Sequence, residues 1–121
     1  SLSAGVKSDY IFLFEFKRAI AAAAISRLAD GPHSVEAAAR LVAKRLGDIV
    51  YPSIKRNAKA KSLVDYRARI LALDPGKPSP EKLAIGRYHY DSCLKWVEDA
   101  GIPPEVSADI LIETLTNELA G

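Results

Sequence analysis

Apolar and polar positions along this chain follow a helical period, and no segment sustains the strict alternation of a strand. The densest apolar stretch runs from Tyr10 to Leu28. There Leu13, Phe16, Ile20, Ala23, Ala24 and Leu28 share one helical face, and Phe12, Phe14, Ala21 and Ile25 widen it. Glu15, Arg18, Ala22 and Ser26 leave a narrow polar strip, with Lys17 and Arg27 beside it. A helix apolar over most of its circumference is buried on more than one side. Either other helices of the chain wrap it, or a second copy covers it through Phe12, Phe14, Phe16, Ile20 and Ile25. Ser8 or Asp9 is the expected N-cap, and Asp30-Gly31-Pro32 the stop.

The same reading continues downstream. Ser34 caps a second helix whose Val35, Ala38, Ala39, Val42, Leu46, Ile49 and Val50 recur at helical spacing, up to about Tyr51 before Pro52, with Gly47 as the alternative stop. A third helix carries Leu63, Tyr66, Ile70 and Leu73 inward. It starts either at Pro52 or afresh at Ser62, where Asp65 completes a capping pattern. Asp74-Pro75-Gly76-Lys77-Pro78 is a turn. Ser79-Pro80-Glu81 then opens a fourth helix, with Ser79 as cap and Leu83, Gly86, Tyr90, Cys93, Leu94 and Val97 inward. A glycine in mid-helix costs about 1 kcal/mol relative to alanine, so Gly86 predicts close approach of another helix. Gly101 ends that helix, and Pro103-Pro104-Glu105 starts a fifth with Ala108, Leu111, Ile112, Leu115 and Leu119 inward.

The expected fold is all-α: a single compact domain of about five helices, antiparallel and bundle-like. Residues 1–8 are expected as a flexible lead and 9–121 as the domain, with Asp74 to Pro78 as the one place for a hinge. A membrane span is not expected, because the uncharged run Ala19 to Ser26 lies between Arg18 and Arg27, far short of the ~20 apolar residues a span needs. At 121 residues the chain is long enough to bury a core without staples. Cys93 is the only cysteine, which rules out an internal disulfide and suits a reducing cytoplasm.

The net charge of +2 hides an asymmetry. Nine Lys/Arg between Arg40 and Arg69 face only Asp48 and Asp65, whereas seven Asp/Glu after Tyr90 face only Lys95. The basic set is Arg40, Lys44, Arg45, Lys55, Arg56, Lys59, Lys61, Arg67 and Arg69, interleaved with Tyr51, Asn57 and Tyr66. Cations that displace condensed counterions, with amide and aromatic groups among them, make this segment a candidate for binding DNA or RNA. Its plainer reading is a solvated face. Glu105, Asp109 and Glu113 form an acidic row that either stabilises a helix N-terminus or docks the basic segment of a second copy.

Catalytic chemistry finds little support. There is no GxGxxG, Walker loop, GxSxG elbow or HExxH pattern. His89 and Cys93 stand one helical turn apart, but a metal site needs three or four ligands and His33 is the only other histidine. No catalytic residue, metal or cofactor is expected. Trp96 reads as the edge of the core, with a partner contact as its alternative. The expected function is therefore a non-enzymatic helical interaction module that self-associates through its first helix and docks a protein partner. The alternative is a small nucleic-acid-binding or regulatory protein.

Overall fold

A computed structural model describes residues 2–50 and 56–116, with side chains for 15–46 and 59–116. Five helices follow in order: α1 (Leu2–Ala29), α2 (Val35–Val50), α3 (Arg56–Leu71), α4 (Glu81–Asp99) and α5 (Pro104–Thr114). No strand occurs among the described residues. The all-α expectation holds, and no helix among the described residues is long and apolar enough to cross a membrane.

The helices are arranged around α1, which packs against all four others. α2 in turn touches α3 and α5, and α3 touches α4. The alanine run explains how one helix accepts so many neighbours. Ala19, Ala21, Ala22, Ala23 and Ala24 are fully buried, and side chains this small let surrounding backbones come close without voids. Ile20 and Ile25 supply the bulk between them. Val42 and Leu46 from α2, Leu63 and Ile70 from α3, Val97 from α4, and Ala108 and Leu111 from α5 close the core.

Several boundaries differ from the sequence expectation. α1 runs back through Asp9 to Leu2, so neither Ser8 nor Asp9 caps it and residues 2–8 are helical. A capping side chain acts only where the backbone leaves the helix, and no proline interrupts residues 2–8. α3 begins at Arg56, between the two expected starts, and Ser62 lies inside it. Lysine, arginine and alanine are strong helix formers, so this basic stretch extends the helix. α4 starts at Glu81 after Pro80, which has extended backbone and no side-chain cap, so Ser79 does not serve as its cap. Ser34 does cap α2, its Oγ accepting the Ala37 N–H at 3.1 Å.

Gly101 terminates α4 with a left-handed φ of 68°. Its N–H donates to Glu98 O, and that of Ile102 reaches back to Val97 O, the paired bonds of a Schellman ending. The Asp74–Pro78 segment is a turn in which Asp74 Oδ1 accepts the Gly76 N–H at 2.8 Å. Across it, Arg87 Nη1 donates to Ile70 O at 3.0 Å, which ties the end of α3 to α4.

Candidate interaction surfaces

The polar strip of α1 does not face solvent. Glu15, Ser26 and Arg27 are all buried, and each is met by a partner from far along the chain. Tyr66 of α3 donates its hydroxyl proton to Glu15 Oε2 at 3.0 Å. Arg18 Nη1 lies 3.7 Å from the other carboxyl oxygen. Ser26 Oγ shares a 2.7 Å hydrogen bond with the Tyr90 hydroxyl of α4 and accepts Arg67 Nε of α3 at 2.8 Å. Arg27 donates Nε to Ser107 Oγ of α5 at 3.0 Å and Nη2 to Ile102 O at 3.0 Å. Buried polar groups are tolerated when their hydrogen bonds are made, so this strip specifies which helix lies against which side of α1.

Among the described side chains of α1, the apolar groups are turned into the chain. Ile20 and Ile25 are enclosed, and Phe16 is half-buried with its ring edge-on to His89 at 4.8 Å. Ile20 and Ile25 therefore offer no surface to a second copy of the folded chain. The four neighbouring helices of the same chain wrap them. The side chains of Phe12 and Phe14 lie outside the described residues.

The outer face of α4 does present large apolar groups. Tyr88 is 68% exposed and Trp96 52% exposed, which corrects the placement of Trp96 at the core edge. Ser92 lies midway between them and is exposed. At four-residue spacing the three share one side of the helix, with the Tyr88 and Trp96 backbone positions about 12 Å apart along its axis. Two ion pairs of the same polarity run along one side of the stripe: Arg87 Nε to Asp91 Oδ1 at 2.9 Å and Lys95 Nζ to Asp99 Oδ2 at 2.8 Å. Beside Tyr88, at the corner of α3 and α4, a cleft of about 310 Å³ is lined by Leu73, Pro75, Ala84 and the Arg87–Asp91 pair.

The basic segment separates into three groups. Arg40, Lys44, Lys61 and Arg69 are exposed on α2 and α3. Arg45 is exposed but paired with Asp109 of α5 at 3.0 Å. Lys59 is buried and Arg67 is directed to Ser26, so neither belongs to an open basic face. Lys55 and the side chain of Arg56 lie outside the described residues. The acidic row of α5 meets the basic segment within one chain, at Asp109 with Arg45, while Glu105 lies 3.9 Å from His33.

His89 and Cys93 are parts of the packing. Burial acts on both: it pushes the His89 imidazole down from its ordinary value and the Cys93 thiol up to about 11. No group of three or more metal-ligating side chains occurs among the described residues. At about pH 8, Cys93 in the folded protein is expected to react with a thiol-alkylating reagent about 100-fold more slowly than after unfolding, since only the thiolate attacks. Equal rates before and after denaturation would show the thiol to be open.

The chain matches no family model, no curated protein and no solved structure. The functional reading rests on its own surfaces.

Proposed function

We propose that this protein is a non-enzymatic helical interaction module that self-associates through the outer face of α4. The observation that carries it is Trp96, a large apolar side chain held 52% exposed on a well-packed helix. Half-exposed tryptophan and tyrosine on one face are the residue types that dominate binding energy at protein interfaces. The face also suits its own copy. An antiparallel second α4, centred on Ser92, brings each Trp96 to the level of the other chain's Tyr88 across a small residue. Such an isologous contact satisfies both chains at once. Its flanking charges alternate in sign, through Arg87–Asp91 and Lys95–Asp99, so two copies meet without a block of like charge. The free, half-buried Cys93 suits a reducing cytoplasm.

Sedimentation of the purified chain over a wide concentration range tests this. The wild type is expected to pass from monomer to dimer. The Tyr88→Ala/Trp96→Ala double substitution is expected to weaken the dimer about 30-fold or more, the loss of one hot spot or better. Both side chains are exposed, so helical content should be unchanged. A chain that stays monomeric throughout, or a dimer that ignores both substitutions, would contradict the proposal.

A further inference from the structure

The exposed charges are sorted by position in the fold. Arg40 and Lys44 of α2 and Lys61 and Arg69 of α3 are exposed, and none of these four makes an ion pair with another described residue. Only Glu36 and Asp65 are exposed acids among the described side chains of these two helices. The opposite sign collects elsewhere, with Glu105, Asp109 and Glu113 exposed on α5 and Asp91, Glu98 and Asp99 on α4. Where α5 reaches α2, Asp109 neutralises Arg45, which marks the edge of the basic face. The four exposed cations outnumber Glu36 and Asp65, which lie one helical turn from Arg40 and from Lys61 and Arg69, and an excess of this sign creates a positive potential that attracts polyanions.

We infer that the exposed surface of α2 and α3 binds the phosphodiester backbone of a nucleic-acid duplex, through Arg40, Lys44, Lys61 and Arg69 and without reading sequence. The chemistry on this face selects that partner. Single strands are held by aromatic platforms on which bases stack, and the one described aromatic of α2 and α3, Tyr66, is buried against Glu15. The face offers an excess of cations with no exposed aromatic among its described side chains, which suffices for backbone contacts and counterion release. This site is separate from the aromatic face of α4 and stands or falls independently of it.

Titration of a labelled duplex DNA and a labelled single strand at several salt concentrations is the test. Four phosphate contacts predict a log–log salt slope of about −3.6 per protomer, so duplex affinity should fall about 100-fold between roughly 50 and 200 mM salt. Arg40→Gln/Lys44→Gln should reduce the magnitude of the slope by about 1.8. These side chains are exposed, so an unchanged melting temperature would confirm that the variant is folded. No duplex binding at the lower salt would overturn the inference. So would a double variant with the wild-type slope, or tighter binding to the single strand than to the duplex.

Discussion

Gly86→Ala is expected to destabilise the protein by about 2–3 kcal/mol, although alanine is the better helix former by about 1 kcal/mol. A Cβ at position 86 would run into the Tyr66 hydroxyl. That hydroxyl cannot step aside freely, because Tyr66 is only 5% exposed and donates to Glu15 Oε2. Displacing the ring breaks this bond and leaves a buried carboxyl group short of a donor, a loss of about 1–3 kcal/mol or more. Overpacking adds a cost of similar size. Tyr66→Phe removes the clashing oxygen, so Gly86→Ala should cost less in that background than in the wild type. Denaturant unfolding of the four proteins measures the difference, since residues in contact show non-additive effects. A stabilised Gly86→Ala variant, or strict additivity with Tyr66→Phe, would mean that α3 and α4 do not approach in this way.

Arg27→Ala is expected to cost about 3 kcal/mol or more, and Arg27→Lys somewhat less. The guanidinium ties the end of α1 to Ser107 of α5 and to the carbonyl of Ile102 beyond α4, with Asp30 at 3.3 Å on its outer side. Hydrogen bonds from a charged donor contribute about 1.5–3 kcal/mol each, not additively. Removing the fork also leaves Ser107, itself fully buried, with only its bond to Pro104 O. Lysine keeps the charge but reaches one acceptor where arginine reaches several. Thermal and urea unfolding should rank the wild type above Arg27→Lys and Arg27→Lys above Arg27→Ala. If all three unfold together, Arg27 is a surface residue and the α1–α5 junction is held by apolar contacts alone.

Both predictions concern polar groups on α1, and that is where the sequence was least legible. Apolar spacing revealed five helices and most of their inner faces, because Val42, Leu46, Leu63, Ile70, Val97, Ala108 and Leu111 are buried as their period requires. Periodicity sorts residues by type and says nothing of whether a polar side chain has found a partner. Glu15, Ser26 and Arg27 therefore read only as a narrow polar strip and its border, and the spacing gave no sign that Tyr66, Tyr90 and Ser107 meet them from 51, 64 and 80 residues away. Gly86 was the usable signal, since a glycine inside an otherwise regular helix implied a close neighbour and Tyr66 is that neighbour.

The candidate surfaces were legible in part. The basic segment was visible as composition, but its separation into the exposed Arg40, Lys44, Lys61 and Arg69, the paired Arg45 and the inward Lys59 and Arg67 depends on helix rotation. Arg56 falls at the start of α3, so Lys59, Lys61, Arg67 and Arg69 lie on one continuous helix, and their rotation about its axis sets which of them face out. Trp96 was misplaced because tryptophan is buried on average. Its spacing from Tyr88 and Ser92, with Lys95 and Asp99 alongside, was the available clue to an outward face.

Trp96 is the only tryptophan in the chain, so its fluorescence reports on the proposed interface and nothing else. The deciding measurement is its emission and acrylamide quenching as the protein is concentrated. Self-association through α4 predicts a red-shifted, readily quenched tryptophan in the dilute monomer. It should become blue-shifted and shielded over the same concentration range in which the mass doubles. A mass that doubles while Trp96 stays exposed would place the interface elsewhere, and a tryptophan already shielded in the monomer would contradict the outward face of α4 itself.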